Sequence, residues 1–266
     1  MALLAGKTGL IVGIANDRSY AWHIAKAMTD HGARCAFTHL PGQKNERRTG
    51  KAVESIGIAN PWMRPLDAAS DGDLDDVFAA YAQSFERMDF LVHSIAYADR
   101  DWLQPGKFAA TPRAAFMQAI DISAYTLAAM ASRARPLMAR AGPGGKGGGS
   151  IMAMSYYGSE KVVRGYNVMG VAKAALECTA RYLAAELGPE NIRVNTISGG
   201  YLRTLAVQAV SGAEEIGERN LEHAPLRRNV EGAEVGNTAV YLASDLSTAV
   251  TGENIYVDCG ANIIGG

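Results

Sequence analysis

Cysteine is scarce in this 266-residue chain: Cys35, Cys178 and Cys259 are the only three, and they stand far apart. Their separation excludes a paired zinc site or a C-x-x-C redox motif, and leaves them to act as small buried hydrophobes. Net charge is nearly absent too, with 26 Lys and Arg against 27 Asp and Glu. No global basic field recruits nucleic acid, and no acidic tail signals disorder. No apolar run approaches the ~18 residues of a membrane span. The start, Met1-Ala2-Leu3-Leu4-Ala5-Gly6-Lys7, lacks a charged segment followed by an apolar one. A soluble, cytoplasmic protein is expected, with no nucleic acid and no membrane among its partners. His23, His31, His39, His93 and His223 lack metal-ligand spacing, so no metal is expected. Internal repeats and linkers are missing as well.

What is present is a core and a rhythm. A hydrophobic fraction of 48% supports one domain over 1–266. Thr8–Val12, Arg34–Phe37, Phe90–His93, Ser150–Met154, Arg193–Ile197 and Asn254–Val257 read as strands, with a weaker one near Trp62–Leu66. Tyr20–His31, Asp73–Glu86, Thr111–Arg140, Gly165–Leu187 and Glu231–Ala243 carry apolar positions at helical spacing. Strands alternating with helices predict an α/β fold, a Rossmann-like doubly wound parallel sheet of seven strands with helices on both faces. The run Gly142-Pro143-Gly144-Gly145-Lys146-Gly147-Gly148-Gly149-Ser150 leads into a strand rather than a helix, so it reads as a flexible surface connection and not a phosphate loop.

Gly13 lies between the first strand and a helix, where a dinucleotide pyrophosphate meets backbone N–H groups and the positive end of the helix dipole. Only one glycine occurs in Gly13-Ile14-Ala15-Asn16-Asp17-Arg18-Ser19-Tyr20-Ala21, which weakens the motif taken alone. Asp67 after the third strand can accept from an adenine amino group, and Ser94-Ile95-Ala96 follows the fourth. Both places are carboxyl ends of parallel strands, where such sheets bind ligands. Leu40 stands where an acidic residue selects NAD. Lys44, Arg47 and Arg48 follow, either as contacts to a 2′-phosphate or as a solvated basic helix start. NADH and NADPH both stay open.

The most informative stretch is Tyr166-Asn167-Val168-Met169-Gly170-Val171-Ala172-Lys173. Its Tyr and Lys are seven residues apart, about two helical turns, so both can project from one helix face. With His93-Ser94-Ile95, Asp121-Ile122-Ser123, Ser155-Tyr156, Arg193-Val194-Asn195, Arg203-Thr204-Leu205 and Val257-Asp258, the whole chain resembles the enoyl-acyl-carrier-protein reductases, the divergent short-chain dehydrogenases of bacterial fatty acid synthesis. Ordinary short-chain dehydrogenases use Tyr-x-x-x-Lys. Here Met169 stands four before Lys173, and Tyr156 fills the usual place of the catalytic serine.

The resemblance implies reduction of a trans-2-enoyl thioester by NADH, with NADPH as the alternative cofactor. Tyr166 is expected at the thioester oxygen, Lys173 at the nicotinamide ribose, and Tyr156 beside them as a second catalytic hydroxyl. Around the cofactor it places Gly13, Ser19, Tyr20, Asp67, Ala68, Ser94, Ile95, Ala96, Ile122, Lys173, Leu202 and Thr204. The acyl chain is expected against Tyr97, Tyr156, Tyr166, Met169, Tyr201 and Ala206, with Met169 as packing and a substrate-covering lid at about 200–222. Tyr201 replaces the family's usual Pro and Ala96 its usual Gly, adding bulk beside the expected acyl channel. The implied partners are an acidic acyl carrier protein, with Lys161, Arg164, Arg203, Arg227 and Arg228 as candidate contacts, and copies of the same chain in a homotetramer. A carbonyl reductase and a non-catalytic nucleotide-binding regulator are the competing readings.

Overall fold

The computed structural model describes residues 2–140, 147–204 and 213–265. Seven strands form one sheet: β1 (Thr8–Val12), β2 (Arg34–His39), β3 (Met63–Pro65), β4 (Phe90–His93), β5 (Gly149–Ser155), β6 (Ile192–Gly199) and β7 (Asn254–Val257). Their order is β3-β2-β1-β4-β5-β6-β7, and every neighbouring pair is parallel. The inner strands β1, β4 and β5 are buried along nearly all their length because both faces of the sheet are covered. On one face Ile24, Met28, Val53, Val235, Val240 and Leu242 close a core, and on the other Leu74, Tyr81, Leu127, Met130, Leu176 and Leu187 close a second. The seven-stranded doubly wound fold is therefore as expected.

The helices are α1 (Tyr20–Asp30), α2 (Gln43–Glu54), α3 (Asp71–Ser84), α4 (Arg113–Ile120), α5 (Thr126–Met138), α6 (Val168–Leu187), α7 (Ala213–His223) and α8 (Gly232–Ala243). Three features of the helices correct the sequence reading. First, α2 escaped the apolar pattern because it is strongly basic and buries only Thr49, Gly50, Ala52 and Val53. Second, the expected helix 111–140 is interrupted by a π turn at Asp121–Tyr125 between α4 and α5. A π turn leaves composition unchanged and often marks a functional site. Third, α6 begins at Val168, so Tyr166 stands in the turn before the helix rather than on its face. Only Lys173 of the pair is helical.

The stretch Arg113–Met138 is long and apolar enough, by length and composition, to cross a membrane. Here Leu127, Met130, Ala134 and Leu137 are buried against the sheet. Cys35 and Cys259 are buried as expected, whereas Cys178 is exposed, a correction: it lies on an outward position of α6. Most of the glycine-rich run, 141–146, lies outside the described residues.

Candidate active site

All strands point their carboxyl ends to one edge, and the sheet order reverses between β1 and β4. Ligands of open parallel sheets bind at such a switch point. Gly13 has φ +108, and a Cβ there would lie 2.0 Å from the Ser94 carbonyl oxygen. The two strand ends approach more closely than any side chain permits, leaving a backbone cradle before α1. Ser19 caps α1: its Oγ accepts from the Trp22 N–H at 3.3 Å and donates to the Asn16 carbonyl at 2.8 Å. Tyr20 spends its hydroxyl within the protein, donating to the Gly200 carbonyl at 2.5 Å. Burial first, then the charge of Asp258, pushes that phenol far above its usual range.

Asp67 is exposed at the end of β3, and its Oδ1 accepts from the Ala69 N–H at 3.0 Å. The Asp67 N–H is held by Asp73 at 2.9 Å, and Ala68 is half-buried beside it. Ser94 and Ile95 are half-buried and Ala96 exposed. Tyr97 is 45% exposed, and its backbone is clasped by Ser123, whose Oγ accepts from the Tyr97 N–H at 3.0 Å and lies 3.2 Å from its carbonyl. The π turn makes this clasp by setting Ser123, fully buried, next to half-buried Ile122. His93 braces the same turn from below: its Nε2 lies 2.7 Å from Thr126 Oγ1, which donates to the Ile122 carbonyl at 2.7 Å. The imidazole therefore donates to Thr126. Burial first, then the Lys173 charge, lowers His93 to about 3.

The aromatic cluster comes together as expected. Tyr156 and Tyr166 meet edge to face at 5.1 Å between centroids, and Tyr157 meets Tyr156 at 4.8 Å. Burial pushes the phenols of Tyr156 and Tyr166 well above their usual range, with Tyr157 and Glu177 respectively as the next causes. A Cβ on Gly158 would lie 2.7 Å from the Tyr166 ring, so this turn requires glycine to support it. Asn167 holds φ +44 and ψ −120, a strained conformation for any residue but glycine. Its side-chain amide donates to the carbonyls of Trp102 at 2.6 Å and Gln104 at 2.7 Å, which ties a distant loop to the head of α6. Met169 is buried among Leu103, Ala119 and Val168, as packing.

Lys173 is 5% exposed and donates to the Met154 carbonyl at 2.6 Å. Burial lowers it to about 8, while Glu177 opposes that shift. A buried ammonium this near neutrality is typical of functional sites.

On the far side of the cleft, Leu202 is half-buried and Thr204 buried. The Tyr201 ring lies on α7, where a Cβ on Gly217 would be 2.5 Å from it. Part of the added bulk is therefore taken up by a glycine notch in α7. Arg203 pairs with Glu214 at 2.6 Å, and Arg228 binds Glu234 through two bonds, at 2.6 and 2.8 Å. Lys161, Arg164 and Arg227 are exposed. Ala206 and much of the lid, 205–212, lie outside the described residues. Gln43, Lys44, Arg47, Arg48 and Lys51 line a basic concavity of ≈ 450 Å³ after the exposed Leu40. Among the described residues no three His, Cys, Asp or Glu side chains gather as metal ligands.

Ser123, Asn167, Gly158 and Glu177 are the residues of this edge that sequence reasoning missed as parts of the site. Ser123 and Asn167 did lie within the quoted motifs. Their importance arises from partners tens of residues away, which spacing does not display.

A glycine cradle at the β1–β4 switch, a buried Lys on the helix after β5 and tyrosines at the strand end define a short-chain dehydrogenase-type nucleotide-binding oxidoreductase. Residues 13–262 match the family model described as enoyl-(acyl carrier protein) reductase. The chain belongs to that family. It is 44% identical to the enoyl-[acyl-carrier-protein] reductase [NADH] of Synechocystis sp. over 98% of each chain. It is 43% identical to the [NADPH] enzyme of Staphylococcus aureus (strain MRSA252), covering 99% of this chain and 100% of the other. The crystal structure of the Bacillus cereus enoyl-acyl carrier protein reductase, with NADP+ and indole naphthyridinone, superposes with a TM-score of 0.94 at 42% identity over all of both chains.

Proposed function

We infer that this chain reduces the trans-2 double bond of enoyl-acyl-carrier-protein thioesters to saturated acyl thioesters in fatty acid elongation. NADH is the preferred cofactor, and the basic concavity of α2 makes NADPH an alternative. The observation that carries the reading is the Tyr156–Tyr166 edge-to-face pair after the end of β5, together with the buried Lys173 on α6. The glycine cradle fits a dinucleotide, because the space a Cβ would need at position 13 is already closed by backbone.

A nicotinamide cofactor held by Gly13, Ser94 and Lys173 would supply a hydride for the β-carbon of the substrate, and the α-carbon would take its proton from Tyr166 or solvent. Tyr166 donates to the thioester oxygen as enolate charge develops there, which lowers the barrier because the donor is in place before the charge arrives. Lys173, held by the Met154 carbonyl, orients the cofactor ribose and favours transfer from the phenol. Tyr156 walls the pocket and keeps the Tyr166 ring upright. Ser94, Ile95, Ala96, Ile122, Leu202 and Thr204 line the nucleotide, and Tyr97, Met169 and Tyr201 face the acyl chain. The described parts of the expected lid, 200–204 and 213–222, are the segments that would cover the substrate.

The acyl group arrives on an acidic carrier protein. Arg203 and Arg228 are already paired with glutamates, so Lys161, Arg164 and Arg227 are the cations left to meet it. The protein works in the cytoplasm as a homotetramer. Outward apolar side chains such as Val162, 99% exposed, and Tyr182, 77% exposed, favour association.

The test follows loss of reduced-cofactor absorbance with a crotonyl thioester beside a β-ketoacyl thioester. The enoyl substrate should be consumed and the ketone ignored. Reduction of the ketone alone would overturn the assignment in favour of a carbonyl reductase, and silence with both would favour a regulator.

A further inference from the structure

One buried acid near the proposed chemistry has no role in it. Glu177 is 5% exposed on α6, one turn beyond Lys173. A single oxygen, Oε1, accepts from Ser155 Oγ at 2.5 Å, Ser159 Oγ at 2.7 Å and Asn254 Nδ2 at 3.2 Å. Ser155 and Ser159 bracket the turn that carries Tyr156, Tyr157 and Gly158, the last pressed against the Tyr166 ring. Asn254 belongs to β7, the outer strand beyond β6.

We propose that Glu177 is a positioning residue with two separable tasks: its oxygen pins the Tyr156 turn to α6, and its charge keeps Lys173 cationic in a dry site. The proposal rests on the oxidoreductase reading and deepens it. Three donors on one buried oxygen need a full acceptor charge to offset their desolvation. Lys173 stands at about 8 with the Glu177 charge already opposing the burial that lowers it, so removing that anion lowers it further. Among the described residues, the titratable groups near this pair are Tyr166 from the turn before α6, Tyr156 from the end of β5, His93 from β4, Tyr256 from β7 and Glu160, whose charge raises Tyr256. His93 titrates near 3, and burial pushes all three phenols above their usual range. The Glu177 carboxylate is thus the anion to which Lys173 responds.

The two tasks predict different signatures. NADH affinity, read by nucleotide fluorescence with no acyl substrate, should weaken as pH rises through the Lys173 titration. In Glu177→Gln, which keeps the size and an acceptor oxygen, that limb should move down by about one to two pH units. In Ser155→Ala/Ser159→Ala the charge stays, so the limb should hold its position while kcat for the enoyl thioester falls about tenfold or more. Glu177→Asp, a safeguard if Glu177→Gln does not fold, should likewise keep the limb. An unmoved limb in Glu177→Gln overturns the proposal, as does an equal downward shift in the serine variant or in Glu177→Asp. Failure of the wild-type protein to bind NADH at any pH would sink the oxidoreductase reading itself, a separate and distinguishable result.

Discussion

Replacing Gly13 by Ala tests the cofactor cradle without removing any polar side chain. The backbone at φ +108 is open to glycine alone, and forcing Ala into it costs about 1–2 kcal/mol. The new Cβ would begin 2.0 Å from the Ser94 carbonyl oxygen, so β1 and β4 must part locally by roughly 1 Å to restore ordinary contact. Overpacking of that kind adds about 1–3 kcal/mol, for a total of about 2–5 kcal/mol. Urea titration should show a lower midpoint at unchanged slope. The same displacement removes the backbone groups from the pyrophosphate position, so NADH affinity should fall at least tenfold, about 1.4 kcal/mol. A variant within 0.5 kcal/mol of wild type, on the scale of an ordinary surface change, and with unaltered NADH affinity would refute the cradle.

Three further outcomes follow from named contacts. His93 is held at about 3 in the folded state against an ordinary 6.5, so the unfolded chain takes up its proton first as pH falls. Its stability contribution is full above 6.5 and lost between there and about 3, by at most ~5 kcal/mol. His93→Gln should flatten that part of the stability curve, and an unchanged pH dependence would contradict the assignment. Ser70→Ala removes the cap of α3, where Ser70 Oγ accepts from the Asp73 N–H at 3.1 Å, and should cost about 1 kcal/mol in urea. Asn167→Ala frees the loop at Trp102 and Gln104, so it should raise KM for the enoyl thioester several-fold while thermal stability shifts by only a few degrees.

The strands were the most legible part of this chain. Three of the seven, β1, β4 and β7, match the read boundaries residue for residue; β1 and β4 lie inside the sheet and are written as largely apolar runs. Helix α2 was not legible for the opposite reason: it turns Lys44, Arg47, Arg48 and Lys51 outward and buries a short edge. The π turn at 121–125 was hidden because one extra residue per turn leaves helical composition intact. Tyr166 and Lys173 could be paired by spacing, yet their geometry differs from two turns of one helix, since the strained Asn167 resets the chain between them. Glu177 was visible only as an acid one turn past Lys173. Its three donors come from β5, the turn after it and β7, and contacts of that range leave no periodic trace. Tyr201 read as bulk in the acyl channel, and only the folded chain brings Gly217 beneath its ring.

The central claim is that Tyr166 donates to the thioester oxygen as charge develops there during enoyl reduction while Lys173 serves cofactor and phenol together. The direct measurement compares Tyr166→Phe, Lys173→Ala and wild type by single-turnover NADH oxidation with a crotonyl thioester, alongside NADH affinity for each. Tyr166→Phe should lose about 100-fold or more in rate with affinity within about twofold, since one transition-state donor is gone. Lys173→Ala should lose rate and affinity together. Equal and mild effects of both substitutions on rate and affinity would contradict the account.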